Sequence, residues 1–303
     1  MSMSAWRRVG VSLTLAVVVA GVAGCQGGEK NPAAEAPKAG APVTEVLTAA
    51  YKKTAAAKSA KVHMTLDRPD AAGGGTMEMD GTMGWGPTVM DMTMKGEALQ
   101  AAPNAPEQIR VVMANNVMYM DMGASAAAEM DGKRWMKMDL GAIAGASGNA
   151  GAQQQMSRGL GGVNQDPAQQ IALLLESPDV KRVGAEKLGG VDTQHYKGSI
   201  SFDEMLKAND SLGLLTQEQR KSLLANGKRN GITGYDTEMW VDEDGYPRRM
   251  DVGVGTAQGE ITMVVDYSDY GTGVAVEAPP AGETFDLMEM LKGIGQAADP
   301  ATT

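Results

Sequence analysis

The sequence of 303 residues holds one cysteine, two histidines, two phenylalanines and only 4% aromatic residues in all. A single cysteine excludes an internal disulfide, and with two histidines it excludes the usual tetrahedral zinc sites. Basic residues are also scarce, with 27 Lys and Arg against 37 Asp and Glu and a formal net charge of −10. Nucleic acid is excluded as the main partner, because binding phosphates needs clustered Lys and Arg. Catalytic patterns are missing as well. Gly145-Ala146-Ser147-Gly148 lacks the following Lys-Ser/Thr of a phosphate loop, and no spacing singles out an acid–base pair among the many Asp, Glu and Ser residues. The chain therefore reads as a non-enzyme that needs no cofactor. Methionine is what is abundant, at 23 residues, well above the sum of 4 Trp, 7 Tyr and 2 Phe.

The first segment reads as an address. Arg7 and Arg8 precede an apolar run from Val9 to Val22, which ends in Ala23-Gly24-Cys25. A short positive region, a short apolar stretch and small residues at its end describe a secretory signal peptide. The run is shorter than the ~20 apolar residues of a membrane-spanning helix. Residues 26–42 are rich in Gly, Ala, Pro, Glu and Lys, which is linker composition. A lone cysteine in this setting resembles the lipobox of bacterial lipoproteins. That resemblance implies that the Cys25 thiol is joined to a diacylglycerol and that the chain is cut just before it. The expected organisation is a signal peptide over 1–24, a flexible tether over 25–42, a folded domain over 43–292 and a disordered tail over 293–303. The body would carry a net charge of −12, because Arg7 and Arg8 leave with the signal peptide. Two or more acyl chains, at ~0.8 kcal/mol per buried CH₂, would anchor it to the outer face of the cell membrane.

From Lys61 onward the apolar period is two. Val62, Met64 and Leu66 alternate with His63, Thr65 and Asp67, and Met77 and Met79 alternate with Glu78 and Asp80. Met90, Met92 and Met94 alternate with Asp91, Thr93 and Lys95, and Met118, Met120 and Met122 with Tyr119 and Asp121. Met136, Met138 and Leu140 do the same against Trp135, Lys137 and Asp139, and Val111 and Met113 lie on the apolar side of a further strand. This is the pattern of half-buried antiparallel strands. Thr44 is expected to cap a helix through Ala60, Asp166-Pro167 to open a second one, and Thr216 with Gln219 to form a capping box. Val180–Glu186 and Val191–Ser201 read as a hairpin, residues 202–206 as a short helix, and Phe285–Leu291 as a terminal helix. The stretch from Gly141 to Gly162 has no period, and a loop of that length is usually mobile or functional. The fold class is α+β, a broad curved, mostly antiparallel sheet of about eleven strands with helices against one face.

Several motifs occur in a telling order. After the lipobox come the early helix and Lys58-Ser59-Ala60-Lys61-Val62. Then follow Trp240-Val241-Asp242-x-Asp244-Gly245-x-Pro247, the closing Asp266-Tyr267-Ser268-Asp269-Tyr270-Gly271, and Pro279-Pro280. This order resembles the LppX/LprAFG-type lipoproteins of actinobacteria and, more widely, the LolA-like fold. The resemblance implies an unclosed half-barrel with helices on its concave side. It also implies an acylated lipid or glycolipid ligand held between sheet and helices. The Met-rich strands and the long Gly/Ala loop depart from the family pattern, so the ligand itself does not carry over.

The methionine faces admit three readings. They can simply pack against helices. They can line an adaptable apolar cavity, for which Met90, Met92, Met94, Met113, Met118, Met120, Met136 and Met138 are the candidate residues, because methionine is flexible and polarizable. Or they can offer thioethers to Cu(I). Asp242 to Gly245 begins like a calcium loop, yet no Glu follows at the required position and Pro247 intervenes, so a hairpin turn is expected. His63 and His195 read as exposed or satisfied histidines. The function that emerges is a lipid-anchored extracytoplasmic protein that binds an apolar lipid or glycolipid for transfer or sequestration. The alternative is an envelope regulatory or interaction protein of the same fold.

Overall fold

A computed structural model describes residues 40–99, 106–128, 131–142, 166–207 and 214–289. Cys25, most of the expected tether, nearly all of the Gly141–Gly162 stretch and the expected tail lie outside the described residues. Twelve strands form one sheet: β1 (Ser59–Arg68), β2 (Gly75–Gly84), β3 (Val89–Gly96), β4 (Gln108–Ala114), β5 (Val117–Asp121), β6 (Trp135–Asp139), β7 (Lys181–Leu188), β8 (Val191–Ser201), β9 (Ile232–Asp242), β10 (Pro247–Thr256), β11 (Gly259–Ser268) and β12 (Thr284–Asp286). Their order is β12-β6-β5-β4-β3-β2-β1-β11-β10-β9-β8-β7. Two meanders, β1 to β6 and β7 to β11, therefore meet where β1 pairs with β11. Every pairing is antiparallel except that of β12 with β6. The sheet is unclosed, with β12 and β7 at its edges. The α+β reading and the broad antiparallel sheet hold.

The period-two pattern explains the two faces. In β1, Ala60, Val62 and Met64 are buried while Lys61 and His63 are exposed. Helix α1 (Val43–Ala57) buries Val46, Leu47, Ala50 and Thr54 along one stripe. It begins at Val43, where the Pro42 carbonyl accepts from the Glu45 and Val46 amides, so Thr44 is not its cap. It also stops short of Ala60. Lys58 turns left-handed with φ 60°, and Ala60 is already paired with Met83 of β2.

After the short α2 (Gly123–Ala127), helix α3 (Pro167–Glu176) is buried along most of its length. The Asp166 carboxylate accepts from the Ala168 amide at 2.9 Å, which is the expected cap. Helix α3 packs on α1 and on β8. Gly198 permits that approach, since a Cβ there would stand 2.9 Å from Ser177 Cβ and 3.0 Å from Leu174 Cδ1. Helices α4 (Phe202–Lys207) and α5 (Gln217–Asn230) follow, the latter opened by the reciprocal Thr216–Gln219 capping box.

The end of the domain differs from expectation. Phe285 and Asp286 lie in a strand where the expected helix would begin, and the helical turn starts only at Leu287, capped by the Asp286 carboxylate, which accepts from the Met288 and Glu289 amides. The open edge of β6 explains the difference, because its unpaired backbone groups gain partners from β12. Likewise β5 ends at Asp121, and the Met122 amide donates to the Arg134 carbonyl.

Candidate functional site

Strand register brings the candidate methionines together. One cross-strand row runs Met83, Met90, Met113, Met118, Met138 across β2 to β6. The next runs Gly81, Met92, Val111, Met120, Met136 and ends on Phe285 of β12. A third joins Met64, Met79, Met94 and Ile109. All eight candidates thus lie on one face of one half of the sheet. Met90, Met92, Met113, Met118 and Met138 are buried, whereas Met94, Met120 and Met136 are only half-buried.

The same face of the other half is built differently. There Tyr196, Met239, Met250 and Val265 form one row, with Ile200, Tyr235, Val241, Val252 and Tyr267 around it. Methionine is consequently densest in β2 to β6, with Met64, Met205, Met239, Met250 and Met263 buried elsewhere in the core. Close approach at Gly81 reinforces this half, since a Cβ there would fall 2.1 Å from the Asp91 carbonyl oxygen.

A cavity of about 310 Å³ lies elsewhere, between the start of α1 and strands β7 to β9. Val46, Tyr196 and Val241 supply its apolar lining, and Arg182, Asp192, Gln194, Asp242 and Glu243 its polar lining. None of the eight methionines borders it. Burial pushes the Asp242 carboxyl up despite a hydrogen bond from the Tyr246 amide. That bond, with the Gly245 amide donating to the Asp242 carbonyl, closes the expected hairpin turn.

The opposite face of the sheet carries charge in pairs. Arg110 grips Asp91, and Arg249 grips Asp266, each through two hydrogen bonds of 2.7–2.8 Å. His63 Nδ1 lies 2.5 Å from Asp80. Sequence reasoning missed the surroundings of His195. Its ring is 8% exposed, stacks on Trp240 at 4.2 Å, and sits between Glu186 (3.0 Å from Nδ1) and Glu238 (2.7 Å from Nε2). The Trp240 indole donates to Glu186, and Lys197 donates to Glu238. Bonds from Trp240 and then His195 hold the Glu186 carboxyl below its ordinary range, and the bond from Lys197 does the same for Glu238. Only the β7–β8–β9 register, which is not legible from spacing, joins these residues.

No family model matches the sequence. A protein of Streptomyces griseus, an uncharacterized 31.2 kDa product of the rplA-rplJ intergenic region, is 31% identical over 268 residues, covering 85% of this chain and 82% of its own. A candidate lipoprotein of Streptomyces coelicolor is 27% identical over 327 residues, covering 95% and 98%. The chain belongs to the same family as the Streptomyces griseus protein. Among solved structures it is similar to the Mycobacterium tuberculosis lipoprotein LppX, with 13% identity, 78% of this chain and 100% of that one covered, and a TM-score of 0.44. It is also similar to LprF from Mycobacterium bovis, with 14% identity, coverage of 78% and 97%, and a TM-score of 0.45. Among the described residues of this protein, no helix is long and apolar enough to cross a membrane.

Proposed function

We propose that this protein is a lipoprotein of the LppX/LprAFG type, held at the outer face of the cell membrane by an acylated Cys25. There it binds an acylated lipid or glycolipid on the methionine half of its sheet, for transfer or sequestration. The observation that carries the reading is the register. It gathers Met90, Met92, Met94, Met113, Met118, Met120, Met136 and Met138 on one face, while the other half of that face sets Met239, Met250 and Met263 among Val, Ile and Tyr. An ordinary well-specified core favours branched and aromatic residues. Unbranched thioether chains instead adapt to irregular apolar shapes such as acyl chains. The half-buried Met94, Met120 and Met136 supply the open part of the face. No bond changes in such a process, so neither catalytic residue nor cofactor is required.

The test is native mass spectrometry and organic extraction of the protein purified from its own cells. A retained lipid is expected, released on extraction and lost when Met94, Met120 and Met136 become Gln in a chain that still folds. A protein that is consistently empty overturns the reading. Anchoring has its own test: the wild type partitions into the detergent phase of a Triton X-114 separation, and Cys25→Ser moves it to the aqueous phase.

A further inference from the structure

Strands β5 and β6 place four methionine residues on one face as a square of two adjacent opposed pairs. Met118 is the cross-strand partner of Met138, and Met120 is the partner of Met136. Residues two apart on a strand share a face, so all four project to the same side. Directly opposed Cβ atoms in an antiparallel pair lie ~4.5–5.5 Å apart. Three rotatable bonds in each methionine then let the sulfurs converge on a common point. Met113, paired with Met118 on its other side, adds a fifth sulfur beside the square. Met118 and Met138 are buried, forming a floor, while Met120 and Met136 are half-buried and give access.

We infer that Met118, Met120, Met136 and Met138 form a binding site for a soft monovalent metal ion, Cu(I) in particular. Thioethers select Cu(I) over the harder divalent ions, which take imidazole or carboxylate. The competing ligand types are absent from the square. Among the described residues no group of three or more His, Cys, Asp or Glu could hold a metal. Both histidines sit on the opposite face, each against a carboxylate. Zinc and Cu(II) are disfavoured on that ligand set. Register decides the matter further. A strand with Met-x-Met alone explains its spacing by periodicity, but two such pairs held opposite one another on adjacent strands give four ligands in one place. In the other half of the sheet Met239 and Met250 make a single opposed pair, flanked by Tyr196 and Val265. That pair supplies an internal control.

The site is tested on protein carrying Cys25→Ser, so that a free thiol cannot compete, by anaerobic titration with Cu(I) kept reduced by ascorbate against a chromophoric Cu(I) chelator. One equivalent per chain is expected to bind with a Kd below about micromolar. X-ray absorption is expected to show a shell of sulfur only. Either pair of replacements, Met118→Leu with Met138→Leu or Met120→Leu with Met136→Leu, is expected to weaken binding about tenfold or more. Met239→Leu with Met250→Leu is expected to leave it unchanged. Leucine preserves volume and apolarity, and the two square variants are separate, so one folded variant suffices to decide. Binding weaker than micromolar, a shell containing nitrogen or oxygen, or an equal loss in the control pair overturns the site. Native mass spectrometry of the wild type reads lipid separately from metal, so failure of the metal site leaves the lipid reading standing, and an empty protein that binds Cu(I) does the reverse.

Discussion

At the scale of single residues, His195 shows how much one buried ring can organise. Its Nδ1 lies 3.0 Å from Glu186 and its Nε2 2.7 Å from Glu238, so one ring ties together carboxyls from two neighbouring strands. Both carboxyls are held below their ordinary value of 4.5, Glu186 by Trp240 and His195, Glu238 by Lys197 and His195. The sign of the effect follows by linkage. In the unfolded chain these groups take up protons at higher pH than in the fold. Their stabilisation is therefore fully present above about 4.5 and is lost as pH falls through the lower folded values. Stability to denaturant is expected to stay level from neutrality to about pH 5 and then decline. Glu238→Gln should flatten that acid limb, and an unchanged limb in the variant would show that the bonds do not act this way. The sequence revealed His195 as a hairpin residue. Its partners were hidden, because Glu186 lies nine residues away and Glu238 forty-three, on two different neighbouring strands.

At the scale of elements, local chemistry was legible and long-range pairing was not. The Asp166-Pro167 start of α3 and the Thr216–Gln219 box of α5 are visible because the capping groups lie within a few residues of the amides they satisfy. Phe285 and Asp286 read as the start of a helix, because their reason for being extended is the open edge of β6, nearly 150 residues earlier. Two substitutions probe the contact between α3 and the sheet. Asp166→Ala should cost ~0.5–2 kcal/mol of unfolding free energy, and Asp166→Asn should recover most of it, since Asn caps about as well. Gly198→Ala forces a methyl group against the Ser177 Cβ and Leu174, and should cost ~1–3 kcal/mol as overpacking. Gly184→Ala in β7 meets nothing within 4 Å and should stay within ~0.5 kcal/mol of wild type. Thermal unfolding of the four variants separates a packing effect from a general intolerance of change.

At the scale of the whole molecule, one continuous sheet carries two kinds of half. Alternation in the sequence already indicated which residues of β2 to β6 share a face, because period two is a property of each strand alone. It could not show that the strands align Met on Met, nor that β1 and β11 join the two meanders, because register is set between strands. The consequence is a gradient of rigidity. Helices α3, α4 and α5 all pack on β8 or β9, whereas the other half presents flexible thioethers, three of them half-buried. Backbone amides of β8 to β11 should therefore be the slowest to exchange with deuterium, and those of β4 to β6 appreciably faster, since local opening follows the density of buried contacts. A ligand bound only by the native state stabilises by RT ln(1 + [L]/Kd), or ~2.7 kcal/mol at a hundredfold excess over Kd. Lipid loading should slow exchange selectively in β3 to β6 and leave β8 to β10 almost untouched. Uniform protection across both halves would mean that the ligand stabilises the fold from some other place, and protection centred on β7 to β9 would assign it to the cavity beside α1.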